Sequence, residues 1–296
     1  MTDPVNAFTI RDLENLSGIK AHTIRIWEQR YSFLKPKRTD TNIRYYSNDE
    51  LKALLNIALL NKYGFKISHI DKMSSEEMQQ KIVTLAHGEA QQERLINELL
   101  QYMVDLDVDR FEEVLNNFIR VKGIDKAITQ LVFPFLDKIG ILWLTNHINP
   151  AQEHLVSNVI RQKLIVGIEN AVTHLVSDKR IVLFLPEGEY HELGLLYLYY
   201  ILKCRGVQVL YLGANVPVRD MEFLTTLKDP DYLYTHLTSI TGNFNMEKFL
   251  QSLHQRIPDV PLVVSGQLAQ TYGRKIPPNV FLKRSLHEVM EFMATL

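Results

Sequence analysis

The middle of the chain has apolar residues at helical spacing. They recur three or four positions apart between about 91 and 177, for example at Leu95, Leu99, Met103, Leu106, Phe111, Leu115, Phe118 and Ile119. Breaks in the pattern fall near Asp107, Gly123 and Asn149-Pro150. Because this period is typical of amphipathic helices, the segment predicts a four-helix bundle.

The last third of the chain has a different pattern, in which short apolar runs alternate with helix-like stretches. The apolar runs predict strands near 180–186, 207–212, 232–240, 261–265 and 279–282. Alternation of this kind favours a Rossmann-like parallel α/β sheet with ligands at the carboxyl ends of the strands. The residues that follow predicted strands, as those of one ligand site would, are His191, Gly213, Ser239 and Gly266.

The start of the chain predicts two short helices joined by a turn. Thr9 is placed to cap the first helix, Ser17-Gly18-Ile19 ends it, and the second runs from about Ala21 to Tyr31. Ile24 and Trp27 face inward as core. Two such helices form a helix-turn-helix, whose second helix enters the major groove of DNA. The outward-facing residues of the second helix are His22, Thr23, Arg25 and Arg30.

A basic and aromatic segment follows this helix pair. It contains Pro36-Lys37-Arg38 and Asn42-Ile43-Arg44-Tyr45-Tyr46, and a capped helix begins near Ser47. Between Lys20 and Arg44 there are seven basic and two acidic residues, although the net charge of the chain is −1. Basic side chains supply salt-sensitive phosphate contacts, while the exposed face of the second helix can read base edges. A helical protein-interaction module with a basic surface is the alternative interpretation.

The composition excludes several classes of protein. A length of 296 residues suffices for two or three domains, and 46% hydrophobic residues are ordinary for a globular protein. The sequence lacks a signal-peptide pattern and an apolar stretch of ~18 residues, so we expect a cytoplasmic protein with no membrane partner. The single cysteine, Cys204, excludes an internal disulfide and a multi-cysteine zinc site. With no recognisable catalytic triad, metal-ligand cluster or phosphate-binding loop, we expect no enzyme.

The most specific chemistry lies just after the first strand of the α/β region, where residues 189–194 read Glu-Tyr-His-Glu-Leu-Gly. A carboxylate two residues before an imidazole can accept its second N–H, which fixes the tautomer and makes the other nitrogen a better metal donor. Gly194 removes a side chain where a flat, bulky ligand would approach the backbone. Alternatively, His191 starts a helix, and the helix dipole favours Glu189 near that N-terminus.

This segment resembles the Asp/Glu-x-His-x-x-Gly signature of cobalamin-binding domains, and Gly213–Pro217 resembles the second loop of that family. The resemblance implies that His191 is the lower axial ligand of cobalt, with Glu189 and Gly194 beside it.

The same resemblance implies a tunnel for the nucleotide tail of the cofactor, lined by Ser239, Ser265 and Gly266. The Ser-x-Leu of the family appears here as Ser239-Ile240-Thr241, and its Gly-Gly appears as Ser265-Gly266. We expect the hydroxyl of Ser265 to narrow the tunnel.

Residues 7–75 resemble the MerR-type winged DNA-binding domain. The match includes Arg25-Ile26-Trp27-Glu28, Tyr31 and the wing Arg44-Tyr45-Tyr46. It implies DNA contacts by the recognition helix and the wing, through His22, Thr23, Arg25, Arg30, Lys37, Arg38, Arg44 and Tyr45.

The middle helices resemble the cap of light-responsive regulators of the CarH/LitR type, which contain a MerR-type head, this bundle and a cobalamin domain in that order. The resemblance rests on Trp143, nine further residues, and then Glu153-His154. It implies that Trp143 covers the upper face of the corrin and that Glu153 and His154 line the same side. In light-sensing members a His follows the Trp, whereas Leu144 does so here and His147 lies one helical turn further on. Alternatively, Trp143 is core of the bundle and His154 a surface residue.

Together these resemblances imply a multidomain α and α/β protein: a winged helix-turn-helix at 1–76, a helical bundle at 90–176 and a Rossmann-like domain at 178–296. The implied function is that of a cobalamin-dependent repressor, in which adenosylcobalamin and light control a homo-oligomer, dimer or tetramer, on a double-stranded DNA operator. Joining several weak heads makes binding tight, so assembly would control DNA affinity. Two alternatives are a cofactor-independent MerR-type regulator with a degenerate sensory domain and a corrinoid carrier protein for methyl transfer.

Overall fold

The structure is a computed structural model that describes residues 7–85, 88–144, 148–238 and 244–296, with the backbone but not the side chains of 141, 143 and 144. The chain divides into two compact units, Met1–Ile160 and Arg161–Leu296. The three domain boundaries predicted from the sequence stay a prediction. Among the described helices, none has the length and apolar character needed to cross a membrane.

The first unit begins with the predicted helix pair and wing. Thr9 caps the first helix through a capping box with Asp12, as predicted. A second capping box, between Ser47 and Glu50, starts the helix after the wing. The elements of this part are α1 (Ile10–Ser17), α2 (Ala21–Arg30), β1 (Lys37–Arg38), β2 (Arg44–Tyr45), α3 (Asn48–Lys62), α4 (Ile67–Ile70) and α5 (Ser75–Val83). Strands β1 and β2 pair antiparallel as a two-stranded wing.

The helical bundle follows, and its breaks lie where the sequence predicts them. Its elements are α6 (Gly88–Asp105), α7 (Val108–Lys122), α8 (Ile124–Ala127), α9 (Phe133–Leu144) and α10 (Pro150–Glu169), with a π turn at Ile128–Val132 between α8 and α9. The rings of Phe111 and Phe135 lie 5.3 Å apart in its core.

The helical pattern predicted as far as Ser177 ends earlier in the structure, at Glu169. The backbone contacts of residues 175–177 explain why the helix does not extend that far. Ser177 N donates to Gly206 O, and a Cβ at Gly206 would lie 2.1 Å from Leu175 O. This segment therefore packs closely against the end of another helix instead of continuing its own.

The second unit contains a parallel five-stranded sheet in the order β4-β3-β5-β6-β7. The strands are β3 (Arg180–Pro186), β4 (Gln208–Val216), β5 (Tyr232–His236), β6 (Leu262–Ser265) and β7 (Val280–Leu282). The helices are α11 (Leu193–Cys204), α12 (Val218–Lys228), α13 (Met246–Arg256), α14 (Gln267–Thr271) and α15 (Leu286–Ala294). The inner strands are continuous apolar runs because helices cover both faces of such a sheet. The strand order reverses beside β3, and ligands bind in the crevice that forms at such a switch point.

Two strand ends differ from the prediction. Strand β4 continues through Gly213 to Val216, although its register against β3 shifts there and Gly213 (φ 77) and Asn215 (φ 59) adopt left-handed backbone. Gly213 therefore lies within an irregular strand and not in a loop. Strand β5 ends at His236, because the next carbonyl, Leu237 O, accepts from Leu268 N of α14. The predicted end at residue 240, like Ser239, lies outside the described residues.

Candidate functional site

The loop 187–192 leaves β3 at the switch point of the sheet. Asn215 of β4 holds this loop from one side: its Oδ1 accepts from Gly188 N at 3.0 Å, and its N donates to Glu189 O at 3.2 Å. Thr238 holds the loop from the β5 side, because its N donates to Glu189 Oε2 at 3.1 Å. The loop is thus tied to both neighbours of β3.

Glu189 and His191 form the pair that the sequence predicts. The Nδ1 of His191 lies 2.6 Å from Glu189 Oε1, and the same oxygen accepts from the backbone N of Tyr190 at 2.8 Å and of His191 at 2.9 Å. The Glu189 side chain is 0% exposed, whereas that of His191 is 54% exposed. A buried anchor therefore orients an imidazole that faces outward.

The protonation of this pair suits a metal donor. Burial opposes ionisation of Glu189, but the hydrogen bonds and charge of His191 outweigh it and hold the pKa of this carboxyl below its ordinary value. An ionised Glu189 can only accept, so Nδ1 of His191 carries a proton and Nε2 is the nitrogen left to bind a metal. A carboxylate bonded to the other ring nitrogen in this way raises the basicity of a histidine that binds a metal.

Gly194 allows a close approach, and the group that approaches it in this structure is a side chain of the protein itself; the approach of a ligand stays a prediction. A Cβ built at Gly194 would lie 2.7 Å from both Cδ2 and Nε2 of His236. The imidazole of His236, at the end of β5, therefore lies directly against the first turn of α11.

Ser265 fixes the ring of His236. The two residues are register partners on β5 and β6, and Ser265 Oγ lies 2.8 Å from His236 Nδ1. Tyr234, which is fully buried, donates to the same hydroxyl at 2.7 Å. Burial lowers the pKa of His236 to about 4, although the charge of Glu189 acts in the opposite direction. The ring is therefore neutral at physiological pH.

Of the other residues predicted to bind the cofactor, the structure describes Gly266 but not Ser239 or the side chain of Trp143. Gly266 adjoins the same region, but a Cβ there would lie 2.3 Å from Leu237 O, so the fold of the chain already requires this glycine. Trp143 lies in α9, and its side chain is outside the described part of the structure, as are Ser239 and His147.

Glu153 and His154 lie in the first turns of α10. The carboxylate accepts from Ser157 Oγ and lies 3.2 Å from His154 Nδ1, and the His154 side chain is 72% exposed. The two side chains therefore form a polar pair at the surface of the first unit.

The helix-turn-helix presents the predicted surface. Ile24 is fully buried and Trp27 is 7% exposed, which confirms that both belong to the core. His22, Arg25 and Arg30 are exposed on α2, and Lys37 and Arg38 are exposed on β1; Thr23, Arg44 and Tyr45 are partly buried.

Arg44 has a partner inside the protein. Its Nε lies 3.2 Å from Glu28 Oε2 on α2, and Glu28 Oε1 accepts from the hydroxyl of Tyr46, which follows β2. Arg38 donates to Asn42 Oδ1 at 2.7 Å and so stiffens the wing. The wing is thereby attached to the recognition helix through Glu28.

Several of these positioning residues are not predicted from the sequence. Asn215, Thr238 and His236 hold or fill the site, and Glu28 connects the wing to α2. Among them, only His236 could be singled out from the sequence, because it is a histidine inside the apolar run 232–240. Nothing in the sequence indicates which strand ends lie beside one another.

Comparisons with known proteins agree with this geometry. Residues 8–77 match the MerR HTH family of regulatory proteins, and residues 95–166, which span most of the helical bundle, match the B12 binding domain family. The HTH-type transcriptional repressors CarH and CarA of Myxococcus xanthus are 28% and 27% identical to this chain, over 90% of it and over 90% and 89% of their own lengths. The solved monomethylamine corrinoid protein of Methanosarcina barkeri has a TM-score of 0.51 at 13% identity, over 69% of this chain and 99% of that chain. This last likeness shows the fold alone.

Proposed function

We propose that this chain, which belongs to the MerR-type transcriptional regulators with a B12-binding domain, is a repressor whose assembly on a DNA operator is controlled by adenosylcobalamin and light. It is a cobalamin-dependent DNA-binding regulator. The proposal adds the adenosyl form of the cofactor, the response to light and the homo-oligomer, dimer or tetramer, that binds the operator.

The observation that carries the proposal is the buried, ionised Glu189 that accepts the Nδ1 proton of the outward-facing His191. One oriented imidazole of this kind would fit the cobalt of a bound corrinoid, and His191 would hold it. Bound adenosylcobalamin supplies a cobalt–carbon bond that light can cleave, and that chemistry belongs to the cofactor. Glu189 keeps the imidazole oriented and basic, and Gly188, Asn215 and Thr238 keep the loop in place.

We assign the upper side of the cofactor to Trp143, Glu153 and His154. The Glu153–His154 pair has the polarity to hydrogen-bond an exposed part of the ligand, and an indole supplies a large rigid face that excludes water. Leu144 stands where light-sensing relatives are expected to have a ligating His, so the state after photolysis should be less stable than theirs.

We assign operator binding to the exposed residues of α2 and the wing. His22, Thr23, Arg25 and Arg30 would contact DNA from the recognition helix, and Lys37, Arg38, Arg44 and Tyr45 from the wing. Such a small head binds one half-site weakly, so joining several heads in one oligomer makes operator binding tight.

The test is size-exclusion chromatography of the purified chain with absorbance spectra, in the dark with and without adenosylcobalamin and again after illumination. We expect the cofactor to elute with the protein, the assembly to grow in the dark with cofactor, and light to reverse this change. His191→Ala should weaken cofactor binding by at least about tenfold and change the cobalt spectrum. His287→Ala is the matched control, because His287 is 82% exposed on α15.

Each other outcome contradicts a defined part of the proposal. Absence of bound cobalamin would favour the cofactor-independent regulator. Binding without a light response would indicate a sensor of cobalamin itself. Unchanged cobalt spectra in His191→Ala would contradict the axial ligand. Transfer of a methyl group from the bound corrinoid with no DNA binding would favour the corrinoid carrier, which the N-terminal head argues against.

A further inference from the structure

A notch lies between the first turn of α11 and the ends of β5 and β6, bounded by Gly194, His236 and Ser265. Gly194 opens this notch, and the imidazole of His236 fills it, with Cδ2 and Nε2 both 2.7 Å from where a Cβ of residue 194 would be. The ring of His236 lies within contact distance of the backbone at Gly194, so this one side chain closes the notch.

The ring of His236 is held in place and is not a loose surface group. Its Nδ1 is 2.8 Å from Ser265 Oγ, and Ser265 is itself 1% exposed and bonded to the fully buried Tyr234. Since Tyr234 donates to Ser265, the Ser265 hydroxyl can donate to Nδ1, which puts the His236 proton on Nε2 beside Gly194. Moving the ring would leave this chain of hydrogen bonds broken in a buried place, which is unfavourable.

The resemblance to cobalamin-binding domains implies that the nucleotide tail of a bound cobalamin would lie beside Ser265 and Gly266, next to this notch. A nucleotide base that His191 replaced as the ligand of cobalt would have to find room in the same domain. Gly194 is three residues from His191, and the loop of His191 is bonded to Thr238, just after β5. Ser265, which the sequence resemblance assigns to the wall of the tail tunnel, holds the ring that fills the notch.

We propose that His236 is a specificity-determining residue that closes this notch to a nucleotide base, so that the site prefers a corrinoid without the nucleotide, of the cobinamide class, over an intact cobalamin. The inference rests on the proposed function, because it concerns the same cofactor site. Intact cobalamin still binds, but more weakly, since its base must displace the ring or stay outside the notch. Specificity of this kind comes from what a side chain excludes.

The test is equilibrium dialysis of the full chain in the dark against adenosylcobinamide and adenosylcobalamin, which share the upper ligand and the corrin and differ in the nucleotide. We expect the wild-type chain to bind adenosylcobinamide at least about tenfold more tightly.

Two substitutions test whether the atoms over Gly194 set the preference. In His236→Ala, all ring atoms over Gly194 are gone, so the affinity for adenosylcobalamin should rise by about tenfold while that for adenosylcobinamide stays nearly constant. In His236→Gln, the longer side chain still reaches over Gly194, so the wild-type preference should persist. Ser265→Gly, which frees the ring, should move the preference in the same direction as His236→Ala. Circular dichroism spectra check that each variant is folded.

The outcomes separate this inference from the proposed function. Equal or tighter binding of adenosylcobalamin by the wild-type chain overturns the inference, as does a change in His236→Ala that is the same for both ligands. If both corrinoids bind and His191→Ala weakens both, the proposed function stands even when the preference is absent. If neither corrinoid binds to the wild-type chain, the proposed function and the inference both fail.

Discussion

Glu189 orients the imidazole of His191, the proposed cofactor ligand, and this carboxylate is completely buried and yet ionised. A buried carboxylate is unfavourable unless it is hydrogen-bonded, and donors come to Glu189 from Tyr190, His191 and Thr238. Its pKa lies below the ordinary value of 4.5. Its ionised form therefore stabilises the fold at neutral pH, and this contribution is lost only as the pH falls below about 4.5, through the lower pKa of the folded state.

Glu189→Gln keeps the size of the side chain and removes its charge. We expect the affinity for adenosylcobalamin to fall by about 10- to 100-fold, because a neutral amide holds the Nδ1–H of His191 less strongly. Equilibrium dialysis measures this change, with Glu291→Gln as the control, since Glu291 is 65% exposed on α15. Equal affinities in the two variants would show that Glu189 only supports the loop.

At the scale of elements, the wing depends on the recognition helix. Glu28 of α2 accepts from Tyr46 and pairs with Arg44, so one carboxylate positions both the strand and the residue after it. Burial, followed by the hydrogen bond to Glu28, raises the pKa of Tyr46, so this hydroxyl stays a donor. An acidic residue thus has a structural role beside the predicted DNA contacts.

The variant Glu28→Ala distinguishes the positioning role of Glu28 from the effect of its negative charge on DNA binding. Loss of the wing attachment should weaken operator binding by about tenfold, which corresponds to the free energy of one hydrogen bond to a charged group. Removal of a negative charge alone would instead strengthen operator binding. Fluorescence anisotropy at fixed salt, on an operator selected from random duplexes, measures the affinity. Glu14→Ala is the matched control, because Glu14 pairs with Lys20 and not with the wing. Stronger binding by Glu28→Ala would contradict the positioning role.

At the scale of the molecule, the first unit combines the DNA-binding elements with the bundle. Ion pairs connect α3 to α6, with Lys52 bonded to Asp105 and Lys62 Nζ 2.6 Å from Glu93. Lys138 of α9 donates to Asn97 Oδ1 at 2.8 Å and lies 3.4 Å from Leu16 O at the end of α1. Burial lowers the pKa of Lys138, so this ammonium depends on its acceptors.

Asn97→Ala should lower the free energy of unfolding by about 2 kcal/mol, because it leaves the partly buried ammonium of Lys138 without its nearest acceptor. Urea denaturation at neutral pH measures the change. The double variant Asn97→Leu with Lys138→Met should recover most of the loss, since apolar groups then replace both partners. Additive losses in the double variant would show that the two residues act independently.

The sequence predicts local features correctly where neighbouring residues decide them. The capping boxes at Thr9 and Ser47, the breaks in the bundle and the Glu189–His191 bond each join residues a few positions apart, so spacing alone fixes the geometry. The apolar runs also predict the parallel sheet. Strand ends are less well predicted: β5 stops at His236 and β4 continues past Gly213, because partner strands and α14 decide where pairing ends.

The sequence by itself therefore determined the order of the elements, the exposed face of α2 and the contact between His191 and Glu189. Only the tertiary structure decided that His236 fills the space beside Gly194, that Ser265 holds it there, and that Glu28 attaches the wing. These contacts join residues far apart along the chain, and they exist because the order and register of the strands place the end of β5 beside β6 and the first turn of α11. No local pattern encodes that placement, since it results from the packing of the whole sheet.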